Sequence, residues 1–172
     1  WKRLFANGVA TTTLGRTWTR YRTAQFDSLS PPRKIFEANT SEGENSLRTD
    51  ITWQPSPSLE FDAGSIAKLA SALRYDVTIP GFLRVDAGGN PRALRVDTTF
   101  AAFRNATYLQ ASWQSTPRVR LTVGVRGDYY DFLRNAFALS PRASATLALG
   151  DASTVTLSAG RYHQPPPYIW LI

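Results

Sequence analysis

Between Val119 and Tyr130 the sequence reads VRLTVGVRGDYY, and the two parities separate cleanly. Val119, Leu121, Val123, Val125, Gly127 and Tyr129 fall on odd positions, while Arg120, Thr122, Gly124, Arg126, Asp128 and Tyr130 fall on even ones. A period of two places these sets on opposite faces of a β-strand and would scatter them around a helix. Upstream of the turn residues Ser115, Thr116 and Pro117 the same parity holds, with Leu109, Ala111 and Trp113 apolar and Gln110, Ser112 and Gln114 polar. The stretch predicts an antiparallel hairpin with one apolar and one charged face. A soluble strand averages about 5 to 6 residues and a tilted membrane strand about 9 to 11. Arms reaching back to Thr98 and forward to Asp131 suit the membrane. Trp113 near one end of the apolar band and Tyr129 and Tyr130 near the other fit interfacial aromatic girdles.

Composition narrows the alternatives. Only 42% of the 172 residues are hydrophobic, and no window approaches the roughly 18 apolar residues of a spanning helix. A mean hydropathy of -0.27 argues against a helical bundle but not against a barrel, whose apolar residues are hidden in alternation. There is no cysteine and a single histidine, so disulfides, thiolate chemistry and a structural zinc site are not expected. The net charge of +7 is dispersed along strands and loops instead of running in a cluster, so no nucleic-acid partner is expected, and the basic residues are assigned to a lumen or to anionic lipid. The opening WKRLFANG carries no secretory signal pattern and reads as the start of a mature product or of a piece of something longer.

In chain order, residues 9–22 read as a strand with mixed facing, because Leu14 and Trp18 share parity with Arg16 and Arg20. Residues 23–45, rich in Ser, Pro, Glu, Asn and Gly, read as a long polar loop. Leu47, Thr49, Ile51 and Trp53 alternate into a second strand that stops at Pro55-Ser56-Pro57. From Leu59 to Asp76 every charge (Glu60, Asp62, Lys68, Arg74, Asp76) lies at an even position, which predicts a strand with a single charged face, although Ile66, Leu69, Ala70 and Leu73 would also suit a short helix. Residues 77–97 read as a second long loop and 132–139 as a shorter one. Strands over 140–149 and 154–159 follow, joined by a tight turn at 150–153. The echo of Trp53-Gln54-Pro55-Ser56-Pro57 in Trp113-Gln114-Ser115-Thr116-Pro117, 60 residues on (113 − 53 = 60), places both tryptophans at one membrane depth. Long connections alternating with tight turns predict an all-β, antiparallel up-and-down meander of about seven strands, part of a transmembrane β-barrel that occupies residues 1–172.

An ordered set of motifs adds a family. Tyr108-Leu-Gln-Ala-Ser-Trp113, Arg120-Leu-Thr-Val-Gly-Val-Arg-Gly-Asp128-Tyr129, Leu139-Ser-Pro-Arg142 and Ser158-Ala-Gly-Arg-Tyr162 with Gln164-Pro165-Pro166 together resemble the barrel of TonB-dependent outer-membrane receptors. The likeness covers about residues 98–168. It implies a barrel of about 22 strands enclosing a plug, a bacterial outer-membrane location, coupling to the TonB system through the plug, and import of an extracellular ligand such as a metal chelate or an oligosaccharide. No plug-like region, recruiting segment or terminal barrel strand is legible in this chain, which therefore reads as an interior fragment with two open sheet edges.

Catalysis is not expected. Asp128, Asp131 and Asp62 have no partner geometry that makes them a general acid and base, His163 lacks a second ligand in spacing, and no serine stands in a G-x-S-x-G setting. Ala87-Gly88-Gly89-Asn90 has no G-x-x-x-x-G-K pattern and reads as a loop tip, not a phosphate cradle. No enzyme activity, cofactor or metal is assigned. The candidate lumen-facing residues are Arg120, Arg126, Asp128 and Arg142, the candidate aromatic girdle is Trp53, Trp113 and Tyr129, and outer-membrane lipid is the expected surrounding. A small passive outer-membrane channel and a soluble antiparallel β-sandwich that acts as a binding module are the competing readings.

Overall fold

The computed structural model describes residues 1–150 and 152–171, and for residues 81–84 the backbone alone. Eight strands, β1 (Lys2–Phe5), β2 (Gly8–Phe26), β3 (Lys34–Ser56), β4 (Leu59–Val85), β5 (Pro91–Thr116), β6 (Val119–Tyr130), β7 (Phe137–Ala148) and β8 (Thr154–Gly160), form one up-and-down antiparallel sheet in chain order, with β1 and β8 at its edges. A 3₁₀ turn at Tyr168–Leu171 follows.

Four expectations are corrected. There is an eighth strand, β1, paired with β2 from Lys2↔Thr11 to Phe5↔Gly8. The long loop expected at 23–45 shrinks to 27–33, because β2 runs to Phe26 and β3 begins at Lys34. The loop expected at 77–97 is strand on both sides of a turn at 86–90. The sequence over 34–45 and 77–85, interrupted by Gly43, Pro80 and Gly81, shows no clean alternation of apolar and polar residues, yet both stretches lie in strands of the sheet. Finally, the charges of β4 do not share one face. Ala70, Leu73 and Tyr75 are all buried while Leu69 and Arg74 are exposed, so the inward parity changes between residues 70 and 73. The helix considered around Ile66 is strand.

Turn chemistry closes the hairpins. Thr116 Oγ1 accepts hydrogen bonds from the amides of Arg118 (3.3 Å) and Val119 (3.1 Å), an arrangement that hydroxyl residues favour at tight turns. Trp53 and Trp113 each stand three residues before the end of their strand (56 − 53 = 3; 116 − 113 = 3). At 86–90 Asp86 binds the amides of Gly88 and Asn90, and Gly89 takes φ 82°, which glycine adopts without strain. The expected turn at 150–153 includes Asp151, which lies outside the described residues; Leu149 N–H donates to Ser153 O across it (2.9 Å).

The chain divides into two compact units. Unit 1 comprises residues 1–15, 46–68 and 103–165, and unit 2 comprises 16–45, 69–102 and 166–172. In unit 1 the registers of β5 to β8 align small and apolar side chains in rows: Ala111–Val123–Ala143–Ala159 and Trp113–Leu121–Ala145–Leu157. Val123 is 59% exposed and Leu157 76%, an apolar face far too extensive to be left in water. The opposite face carries Ser112–Thr122–Ser144–Ser158 and Gln114–Arg120–Thr146–Thr156, with Ser112 and Thr122 hydrogen bonded at 3.1 Å. In unit 2 the core is Ala70, Leu73, Tyr75 and Ala102. Tyr75 stacks on Phe100 (5.9 Å), which meets Tyr168 edge-on (6.5 Å), and the Tyr75 hydroxyl donates to Glu42.

Candidate functional site

A polar constellation lies on the charged face of unit 1, around a cavity of about 340 Å³. It is built from pairs two residues apart on single strands, which period-two geometry turns to the same side. On β3, Arg48 forks onto Asp50, with Nε–Oδ2 at 2.6 Å and Nη2–Oδ1 at 3.1 Å. On β6, Arg126 grips Asp128 through Nε (3.0 and 3.1 Å) and Nη2 (2.8 Å). Asp128 is only 2% exposed, and this bidentate pairing is what allows a carboxylate to be buried.

Tyr108 links the strands. Its hydroxyl donates to Asp50 Oδ1 at 2.9 Å, and to reach β3 from β5 its ring crosses β4 at Gly64. A Cβ on Gly64 would lie 2.5 Å from the ring and 2.7 Å from Asp50 Oδ1. Only glycine leaves that path open, an aromatic ring covering a strand glycine as in other β-proteins. Lys68 and Arg104 also line the cavity. With Arg48 and Arg126 they set four cations against the carboxylates of Asp50 and Asp128, so the lining carries a net positive charge.

Beside the cavity, Asp62 accepts from Thr52 (2.8 Å) and Gln110 (3.3 Å). Arg120 reaches Glu60 at 2.9 Å. Arg142 runs along the glycines of both neighbouring strands, its Nε 3.2 Å from where a Cβ of Gly124 would stand and its Cβ 3.2 Å from that of Gly160. His163 Nδ1 meets the buried Ser140 hydroxyl at 3.1 Å. Of the four candidate polar residues read from the sequence, the structure brings Arg126 and Asp128 together and pairs Arg120 elsewhere. Arg142 lies on the same charged face without joining the cavity.

The sequence did not single out Arg48 or Asp50, and Tyr108 entered only as the first residue of a family motif, not as a candidate site residue. A signal existed: R-x-D occurs at 48–50, 74–76, 84–86, 95–97 and 126–128, and that spacing puts both side chains on one side of a strand, where 48–50, 95–97 and 126–128 pair directly. On the apolar face, Trp53 stacks on Phe61 at 5.6 Å and Tyr129 packs near Phe103 at 6.3 Å. Trp53, Trp113 and Tyr129 are 44%, 51% and 42% exposed. No helix is long and apolar enough to cross a membrane, whereas strands of 23, 27 and 26 residues (β3, β4 and β5) exceed what a crossing needs.

Comparison with known proteins agrees with this architecture. No curated protein matches the chain. The family model described as TonB dependent receptor-like, beta-barrel, matches residues 2–171. With all but the terminal residues inside that match and one apolar-backed antiparallel sheet running through them, the chain belongs to the TonB-dependent receptor β-barrel family, a family of outer-membrane transporters.

Proposed function

We infer that this chain forms part of the barrel wall of a bacterial outer-membrane receptor that imports a scarce extracellular ligand, a metal chelate or an oligosaccharide, with energy delivered by the TonB system through a plug. The observation that carries the reading is the division of unit 1 into a bare apolar face and a face of paired charge that includes the buried Asp128. A passive wall needs only the first. Asp128 is buried and gripped by Arg126, so this pair is screened weakly, and Arg126 and Asp128, with Arg120 and Arg142 on the same face, are suited to act on a plug or a permeant. In this reading those four residues face the lumen and Trp53, Trp113 and Tyr129 mark the edges of the lipid belt. The open edges at β1 and β8 require neighbouring strands, because hydrocarbon leaves no solvent to satisfy their backbone groups.

The test is uptake by cells that make the intact protein, using radiolabelled ferric chelates and labelled oligosaccharides in turn, with and without a protonophore. Accumulation of one probe that ceases when the proton motive force is collapsed is the expected result. Continued accumulation in de-energised cells would overturn energy coupling and leave a passive channel.

A further inference from the structure

The second charged cluster lies in unit 2, on the face opposite the Tyr75–Phe100 stack. Arg20, Arg22 and Arg74, with Asn39, Thr40, Ser41 and one carboxylate, Asp76, line a cavity of about 330 Å³. That carboxylate and its neighbour Asp97 are already engaged: Asp97 meets Arg74 at 3.7 Å and Arg95 at 3.6 Å, and Asp76 meets Arg95 at 3.4 Å. Those four residues neutralise one another (two Arg, two Asp). Among the described residues no carboxylate pairs with Arg20 or Arg22, so the cavity holds two uncompensated guanidiniums beside amide and hydroxyl donors. Planar forks flanked by neutral donors match a phosphate monoester, which offers three acceptor oxygens and up to two negative charges.

The position argues for a phosphate carried by lipid. Along β2 the even positions run Leu14, Arg16, Trp18, Arg20, Arg22, with Leu14 80% and Trp18 53% exposed. The Trp18 ring lies over Gly43, where a Cβ would come within 2.7 Å of it, so the indole is held flat on the sheet. Apolar residue, tryptophan and then paired arginines is the order found on leaving hydrocarbon for the headgroup layer, with Arg16 long enough to extend its head in the same direction. A tilted strand spends about 9 to 11 residues in hydrocarbon, and Arg74 stands 15 residues after the start of β4 (74 − 59 = 15), past that limit. We propose that Arg20, Arg22 and Arg74 bind the phosphate of an anionic lipid headgroup in the leaflet around the barrel. The proposal rests on the outer-membrane reading but not on energy coupling.

The test uses the intact protein, purified in mild detergent, and an R20S/R22S/R74S variant, with R20K/R22K/R74K as a charge-preserving control. Native mass spectrometry and Trp18-sensitive fluorescence would follow binding of a phosphorylated glycolipid, of the same lipid after phosphatase treatment, and of inorganic phosphate. The expected result is retention of the phosphorylated lipid by the wild type and the Lys variant, binding roughly a hundredfold weaker in the Ser variant, and little binding of the other two probes. Heat-modifiable gel migration verifies that each variant is folded. Equal retention by the Ser variant, or indifference to phosphatase treatment, would overturn the site. Inorganic phosphate bound as tightly as the lipid would overturn the lipid source and assign the site to a soluble phosphate. Ligand uptake by cells carrying the Ser variant is read separately, so failure of lipid binding and failure of the receptor reading are distinguishable.

Discussion

Replacing Val123 by Arg tests which face of unit 1 meets lipid. Val123 is 59% exposed, lies four residues into β6 from Val119, and is flanked in register by Ala111 and Ala143. No polar side chain stands beside it on that row, and the small alanines provide no cover for a guanidinium. The charge would therefore sit near the middle of the apolar band, where Arg costs about 2 to 4 kcal/mol. The neighbouring Thr122→Arg change points to the charged face, among Ser112 and Ser144. It forfeits the Ser112–Thr122 hydrogen bond of 3.1 Å, a loss of about 0.5 to 1.5 kcal/mol, and meets water or polar groups instead of hydrocarbon. The two substitutions add the same side chain one residue apart, so propensity and bulk largely cancel in the comparison. Urea unfolding of the intact protein in lipid vesicles, followed by tryptophan fluorescence, should show Val123→Arg to be the more destabilising of the two by about 0.5 to 3.5 kcal/mol. Equal destabilisation, or the reverse order, would refute the assignment of the Leu121–Val123–Val125 face to lipid.

Gly64→Ala forces the Tyr108 ring or Asp50 to move, since a Cβ would stand 2.5 Å from one and 2.7 Å from the other; we expect a loss of about 1 to 3 kcal/mol. Tyr108→Phe, which keeps the ring and removes only the hydroxyl bond to Asp50, should cost about 1 kcal/mol, so equal effects in urea titrations would show that the ring's path over Gly64 is not constrained. The Asp86 carboxyl is held below the usual carboxylate range, chiefly by the Asn90 amide and then by Gly88 and Arg92. A depressed pKa supports the turn above the unfolded-state value of about 3.9 and is lost as pH falls through the folded one. Amide exchange at Gly88 and Asn90 should therefore stay slow at neutral and mildly acidic pH, accelerate only below about pH 4, and become insensitive to acid in Asp86→Asn; loss of protection near neutrality would contradict the geometry.

The legible parts of this protein are those where the two sides of a strand meet different solvents. Lipid on one side and water or paired charge on the other write a period of two into Leu109–Trp113, Val119–Tyr130 and Pro141–Leu149, and the registers of β5 to β8 follow from that pattern. The family resemblance was legible for the same reason, since its motifs fall on those strands. Residues 34–45 and 77–85 carry no clean alternation of apolar and polar side chains, so they resembled loops although their backbones pair as strands. The parity change in β4 was hidden as well, because the charges remain at even positions while the buried side does not. The cavity of unit 1 needed the tertiary structure. Tyr108 and Asp50 are 58 residues apart in sequence, and their meeting depends on β4 lying between β3 and β5 with a glycine at the crossing point. Strand alternation determines which side a residue faces; only sheet order and register decide which distant residue faces it there.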